Sequence, residues 1–194
     1  MRSALLLLFF ALATPAGSPS DGAFKAHSDD TGPKVLVVFY SRTGNTKKVA
    51  KIIAKRCHAD IERVIEKGVN RKGFLGYMGA VKDATLGKQV ETEPFTKNPE
   101  AYDLVIIGTP IWMWDMTPAI RTYLLKMKGK LRKTHVAFFT TSTETGAEKI
   151  VQKMQKLAEV KAVNWTGFMD NDIRDEKTAL EKVDIFLRGL GCFV

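Results

Sequence analysis

The chain contains the segment Val35-Leu36-Val37-Val38-Phe39-Tyr40-Ser41-Arg42-Thr43-Gly44-Asn45-Thr46, in which an apolar run gives way abruptly to small and polar residues. The apolar run is continuous and β-branched, which is typical of a central strand buried on both faces. Residues 46–57 then carry apolar side chains at helical spacing. A buried strand, a polar loop and a helix in this order predict the first part of a βαβ unit.

Strand and helix patterns alternate through the rest of the chain. Further strands are predicted at 61–65, 104–107, 136–139 and 163–168. Helices are predicted from Pro118 until Gly129 stops the helix, and at 146–158 and 176–188. One short amphipathic helix is predicted within the glycine-rich stretch 67–94, around Phe74, Met78 and Val81. This alternation predicts an α/β fold with a doubly wound, five-stranded parallel sheet of strand order 2-1-3-4-5. Such sheets bind ligands at the carboxyl ends of strands 1 and 3, so the loops after Tyr40 and Ile107 are the candidates.

The N-terminal region is predicted to lie outside this domain. Residues 1–20 resemble a signal peptide, with Arg2 before an apolar run from Ala4 to Ala13 and small residues after it. The run is too short to cross a bilayer. Residues 21–33 are predicted to be a flexible linker, and residues 34–194 the folded domain. Export to the periplasm or the outside is therefore expected, with a mis-assigned start and a cytoplasmic protein as the alternative.

Composition excludes several classes of site. The two cysteines and three histidines show no metal-ligand spacing, so neither a metal site nor a Cys–His catalytic pair is expected. The formal net charge of +9 is spread over the predicted helices without a nucleic-acid-binding motif. A solvated basic surface is the simplest interpretation, and no nucleic acid partner is expected. The alternative is attraction to an acidic partner protein or an anionic membrane surface.

The polar loop, residues 41–46, has the composition of an anion site. It follows a buried strand and opens a helix, so its backbone N–H groups gather at the positive end of that helix. The hydroxyls of Ser41, Thr43 and Thr46 add neutral donors, and Gly44 allows close approach of the backbone. Lys47 stands in the wrong order for a Walker loop, and G-x-G-x-x-G, an acidic receiver site and a phosphatase cysteine are all missing. A loop that merely caps the helix remains the alternative.

Residues 37–46 resemble the FMN phosphate-binding signature of the flavodoxin-like family, and the resemblance extends from Lys34 to the end of the chain. A second motif, residues 108–112, lies where that family places an aromatic residue against the isoalloxazine ring, which implies stacking by Trp112, with Trp114 as second choice. The third family loop corresponds to residues 140–146, whose amides would face the polar edge of the ring. The alternative for this loop is a polar turn that caps the next helix. The FMN-binding residues implied by the resemblance are Ser41, Arg42, Thr43, Gly44, Asn45, Thr46, Thr109, Pro110, Ile111, Trp112, Met113, Thr141 and Ser142.

The sequence also departs from the family pattern. Family members that carry single electrons usually have a glycine near the flavin whose peptide turns over on reduction, and residues 111–116 contain none. The third loop also lacks a second aromatic residue, which leaves one ring face more open. The resemblance implies an electron carrier with non-covalent FMN and a redox partner protein. The alternatives are an NAD(P)H-dependent quinone or FMN reductase and, third, a non-redox binding module on the same fold. No side chain is expected to act as an acid–base catalyst.

The resemblance also bears on the two cysteines. In a flavodoxin-like fold the first and last helices pack on the same face, with their C-termini opposite the flavin. Cys57 ends the first helix and Cys192 follows the last. We therefore consider a disulfide between them after export, with two separate buried cysteines as the alternative.

Overall fold

The computed structural model describes residues 32–68 and 89–192. The signal peptide, nearly all of the linker, and the short helix expected around Phe74, Met78 and Val81 lie outside the described residues. The strands are β1 (Val35–Phe39), β2 (Asp60–Arg63), β3 (Leu104–Trp112), β4 (Asp115–Met116), β5 (His135–Ser142) and β6 (Asn164–Met169). The helices are α1 (Asn45–Arg56), α2 (Pro118–Leu131), α3 (Ala147–Ala158), α4 (Asp170–Arg174) and α5 (Glu176–Arg188), with a 3₁₀ turn at Pro99–Ala101.

The sheet confirms the predicted topology. Its order is β2-β1-β3-β5-β6, and every neighbouring pair in that path is parallel. The short strand β4 pairs antiparallel with the end of β3 and forms a hairpin outside the path. With β4 set aside, the order of the five parallel strands is the expected 2-1-3-4-5, so the switch point lies between β1 and β3.

The core consists of two layers, one on each face of the sheet. Alternate residues of β1 point to opposite sides: Val37 packs with α1 and α5, whereas Leu36 and Val38 pack with α2 and α3. All three side chains are fully buried. A strand covered on both faces requires the unbroken apolar run seen in the sequence. The first and last helices therefore share one face, as the resemblance implied.

Several predicted boundaries were wrong. Strand β2 ends at Arg63 instead of residue 65, and β5 continues past residue 139 to Ser142. Two further differences have a clear physical reason. Helix α2 continues through Gly129 to Leu131, because Leu131 is fully buried and its burial outweighs the cost of about 1 kcal/mol for a glycine within a helix. Strand β3 extends past residue 107 to Trp112, because its end is paired with β4 (Ile111 with Met116, Trp112 with Asp115). The segment after residue 107 is thus a hairpin rather than an open loop.

Within the described part of the chain, no helix has both the length and the apolar character needed to cross a membrane.

Candidate functional site

The polar loop places Gly44 at the start of α1. Gly44 is the N-cap with φ 108° and ψ −17°, and the first helical hydrogen bond runs from Lys48 N–H to the Gly44 carbonyl at 2.8 Å. No described side chain caps this end of the helix, and its first turn carries no acidic residue. The amides of the first turn and the helix dipole are therefore available to an anion.

Hydrogen bonds fix the loop from within and from the neighbouring strands. The Gly44 N–H donates to Ser41 Oγ at 3.2 Å, and the Arg63 guanidinium of β2 donates to the Ser41 carbonyl at 3.3 Å. The Thr46 and Thr141 hydroxyl oxygens are 2.8 Å apart and buried, so the start of α1 is joined directly to β5. Ser41 thus braces the loop, whereas Thr46 links two of the three predicted loops.

A fourth segment reaches the site. The side-chain amide nitrogen (Nδ2) of Asn45 donates to Asp170 Oδ1 at 2.9 Å, and Asp170 begins α4 directly after β6. Sequence reasoning missed Asp170. The signal was available, because β6 runs parallel to β5 and its carboxyl end meets the same edge of the sheet.

Two adjacent hollows open at this edge and together form what we call the cleft. The first hollow, of ≈ 230 Å³, is lined by polar-loop residues, by the end of β3, by the end of β5 and by Asp170. The second, of ≈ 160 Å³, lies between the β3–β4 hairpin and the loop after β5. The residues that line both hollows are Ile111, Trp112, Ser142 and Thr143. The cleft is therefore continuous past the Trp112 indole.

The tip of the hairpin has an unusual backbone. Met113 and Trp114 both have positive φ, 47° and 57°, in a two-residue turn of the type that normally selects Asn-Gly. Left-handed backbone costs about 1–2 kcal/mol for each non-glycine residue. An ion pair and a hydrogen bond hold the hairpin in place. Asp115 pairs with Arg121 of α2 at 2.8 Å, and the Lys153 ammonium of α3 donates to the Trp114 carbonyl at 3.2 Å.

The two tryptophans of the hairpin differ in their surroundings. Trp112 is partly buried and packs edge-on against Tyr40, with ring centroids 5.5 Å apart and an interplanar angle of 85°. Trp114 is 64% exposed and lines only the second hollow. Trp112 is therefore the better placed of the two to contact a ligand along the whole cleft.

Most of the predicted site residues come together. Those that line the cleft are Arg42, Thr43, Asn45, Thr46, Pro110, Ile111, Trp112, Met113, Thr141 and Ser142. Ser41 and Gly44 shape the loop without lining either hollow. Thr109 does not reach the cleft, since it is fully buried and its hydroxyl bonds to the Pro110 carbonyl and to Thr117. Among residues 32–68 and 89–192, no group of acidic, histidine or cysteine side chains could hold a metal ion.

Comparison with known proteins agrees with this geometry. The family model described as Flavodoxin matches residues 34–184. A flavoprotein from Lactobacillus acidophilus NCFM, solved in complex with FMN, is similar at 25% identity and a TM-score of 0.60, over 73% of this chain and 97% of that chain. Its apo-form, solved by NMR, is also 25% identical, with a TM-score of 0.54 over 73% of this chain and 95% of that chain.

A more distant structure shares the fold alone. The Trp repressor binding protein from Bacillus subtilis is 14% identical, with a TM-score of 0.55 over 79% of this chain and 99% of that chain. The family match, by contrast, spans most of this chain and includes the polar loop, the hairpin and the loop after β5. The chain therefore belongs to the flavodoxin family.

Proposed function

We propose that the protein binds one FMN without a covalent bond and transfers electrons through it. The observation that carries the proposal is the convergence of the polar loop, the β3–β4 hairpin and the end of β5 on one cleft. The FMN complex of the similar Lactobacillus flavoprotein supports the choice of cofactor. Bound FMN would supply the electron-accepting and electron-donating chemistry, and the protein would bind and orient it.

The donor set fits a phosphomonoester at one end of the cleft. The uncapped first turn of α1 offers backbone N–H groups, and Thr43, Asn45 and Thr46 add side-chain donors beside them. Gly44 has open space where a Cβ would stand. Neutral donors at a helix N-terminus are well suited to a phosphate group. Residues 41–46 would therefore hold the phosphate of FMN.

The other end of the cleft fits a flat aromatic ring. The Trp112 indole lines both hollows, and Pro110 and Ile111 add apolar surface beside it. Burying a large aromatic ring against an indole contributes apolar area and a favourable ring–ring contact. Thr141 and Ser142 supply polar groups from the end of β5. Trp112 would thus stack on the isoalloxazine ring while these residues contact its polar edge.

The hairpin favours a reductase as the second candidate function. Rotating the peptide between Met113 and Trp114 by about 180° would convert the present turn into a type II′ turn. Met113 would then need φ near +60° and ψ near −120°, a backbone conformation that glycine adopts far more readily than methionine. The glycine-dependent rearrangement expected of one-electron carriers is therefore disfavoured here. A chain held in one conformation suits transfer of two electrons from NAD(P)H to a quinone or a free flavin.

Two measurements test these functions in order. Titrating FMN with the purified protein should quench FMN fluorescence and saturate at one FMN per chain; unchanged fluorescence at excess protein would leave only a non-redox binding module. The holoprotein is then mixed with NAD(P)H and a quinone. Steady NAD(P)H oxidation supports the reductase. No turnover with NAD(P)H, together with electron transfer from a reduced donor protein to the bound flavin, supports the carrier.

A Met113→Gly variant helps to distinguish the reductase from the electron carrier. Glycine permits both conformations of the hairpin turn, so photoreduction without oxygen should separate into two one-electron stages more clearly in the variant than in the parent protein. Trp114→Gly is the matched control, because it relieves strain at the neighbouring residue and leaves Met113 in place. If Met113→Gly and the parent protein were photoreduced in the same stages, the conformation of the hairpin would no longer favour a reductase.

A further inference from the structure

We propose that Cys57 and Cys192 form an intramolecular disulfide that joins α1 to the segment after α5. Cys57 is the C-cap residue of α1, and Cys192 follows α5 by four residues. Their sulfur atoms lie 2.6 Å apart, although 134 residues separate the two in sequence. Both residues are present as thiols in this structure. The inference is independent of FMN binding, because α1 has 12 residues and Cys57 therefore lies about 18 Å from the polar loop.

The packing around the two thiols holds them together. Both are buried, at 7% and 5% exposure, and belong to the apolar layer formed by α1, α5 and the sheet. An ion pair beside them joins the same two helices: Arg56 Nε contacts Asp184 Oδ1 at 3.0 Å, and its NH2 group donates to Oδ2 at 3.2 Å. Oxidation would therefore join two groups that the fold already keeps in contact, without rearranging the helices.

The contact between the two thiols also affects their acidity. The sulfur atoms share one hydrogen bond, in which either thiol can be the donor. This bond, together with burial, raises the pKa of Cys57. Because the thiolate is the attacking form, the oxidation begins at whichever of the two cysteines loses its proton first.

The step requires a disulfide oxidant, such as oxidised glutathione or a thiol–disulfide oxidoreductase. The thiolate of one of the two cysteines attacks one oxidant sulfur, forms a mixed disulfide and releases the other oxidant sulfur as a thiolate. The second cysteine then loses its proton, and its sulfur attacks the first cysteine's sulfur and releases the second oxidant thiolate. Two electrons pass from the cysteines to the oxidant, and the two protons of the cysteine thiols end on the released thiols.

The expected consequence is higher stability in an oxidising compartment. The bond would close a very long loop, and in the chain-entropy account long loops remove the most freedom from the unfolded chain. We expect the thermal unfolding midpoint of oxidised protein to lie roughly 5–15 °C above that of reduced protein. Disulfides persist in oxidising compartments, so this bond is consistent with the export that residues 1–20 lead us to expect.

The experiment uses the full chain in its native state. Reduced protein is equilibrated in glutathione buffers of increasing oxidation, denatured in an alkylating reagent, and analysed by intact mass. Because the sequence has only two cysteines, a monomer with no alkylated cysteine and no attached glutathione can carry only the 57–192 bond. Two alkylated cysteines in the most oxidising buffer, a stable glutathione adduct or a disulfide-linked dimer would each overturn the proposal.

The unfolding midpoint supplies a second readout. The parent protein should melt at a higher temperature when oxidised, whereas Cys57→Ser and Cys192→Ser variants should melt at the same temperature in both buffers. An equal midpoint for oxidised and reduced parent protein would contradict the stabilising role. Comparison of the two redox states of the parent needs no variant, so a poorly folding variant does not affect the test.

Discussion

The hydroxyl oxygen of Thr46, in the first turn of α1, lies 2.8 Å from the hydroxyl oxygen of Thr141, near the end of β5. Both residues are buried and both line the first hollow of the cleft. The contact joins the polar loop to the third predicted loop, which follows it in sequence by almost a hundred residues. These two loops therefore form one wall of the cleft.

Replacing Thr46 with valine should weaken FMN binding while retaining the shape of the side chain. The loss of one hydroxyl donor should raise the Kd for FMN about tenfold, measured by fluorescence titration. Thr122→Val is the matched control, because the Thr122 hydroxyl bonds to the Val90 backbone away from the cleft. Equal affinity of Thr46→Val and parent protein would show that the hydroxyl does not contact the phosphate.

The two hairpin tryptophans should contribute unequally to binding. Trp112→Ala should raise the Kd for FMN by roughly ten- to a hundredfold, because stacking on an aromatic ring contributes about 1–3 kcal/mol. Trp112→Phe should retain most of the affinity. Trp114→Ala, which removes a largely exposed side chain, should have a much smaller effect. A larger loss in Trp114→Ala than in Trp112→Ala would assign the stacking to Trp114.

Asp170 should oppose the binding of an anion. Its carboxylate lines the first hollow and accepts a hydrogen bond from Asn45. Asp170→Asn removes the negative charge and keeps an acceptor for that bond, so the affinity for FMN should rise several-fold at low salt. The gain should shrink as added salt screens the charges. Weaker binding by the variant would indicate instead that the carboxylate accepts hydrogen bonds from the ligand.

Gly44 and Gly108 should be required for different reasons, the first for its backbone conformation and the second for lack of space. Gly44→Ala places no Cβ within 4 Å of another group but requires φ of +108°, so urea unfolding should show a loss of about 1–3 kcal/mol from backbone strain. Gly108→Ala would place its Cβ 2.0 Å from the Phe139 ring and should cost more, about 3 kcal/mol or above. Similar losses in both variants would contradict this distinction.

Stability at low pH should depend on Tyr102. Its hydroxyl donates to Asp60 Oδ2 at 2.6 Å, and this bond, helped by Lys97, lowers the pKa of Asp60. Burial and the Asp60 carboxylate raise the pKa of Tyr102 to about 12, so the donor stays protonated at lower pH. Because the folded-state pKa of Asp60 is the lower one, its contribution is present above the unfolded value of about 3.9 and is lost as the pH falls through the folded value.

Tyr102→Phe should therefore reduce the difference in unfolding free energy between pH 7 and pH 3. The reduction should be a few tenths of a kcal/mol, because Asp60 is about half exposed and solvent screens the interaction. Parallel urea titrations at the two pH values measure it. An unchanged difference in the variant would show that the bond to Tyr102 does not set the pKa of Asp60.

The pattern of apolar and polar residues along the sequence predicted the strand order and most of the residues that line the cleft. The unbroken apolar run of β1 is typical of a strand covered on both faces, and a loop that follows a parallel strand opens at the carboxyl edge of the sheet. Boundaries that depend on distant partners were missed. The end of β3 is fixed by pairing of Trp112 with Asp115, and the end of α2 by burial of Leu131.

For the cleft as well, local sequence pattern predicted most residues, whereas contacts between distant segments were missed. Ten of the thirteen predicted residues line the cleft, because the parallel strands bring their loops to one edge. Thr109 does not line the cleft, because its side chain is buried and its hydroxyl bonds to Thr117. Asp170 was missed because its contact with Asn45 spans 125 residues of sequence.

The order of apolar and polar residues along this chain was enough by itself to predict a parallel α/β sheet with a polar loop at the start of the first helix. Periodicity and helix-end chemistry act over a few residues, so they can be read directly. Only the tertiary structure brought Thr46 to Thr141, Asn45 to Asp170 and Cys57 to Cys192. Such contacts depend on how distant segments pack on the two faces of one sheet, which no short segment encodes.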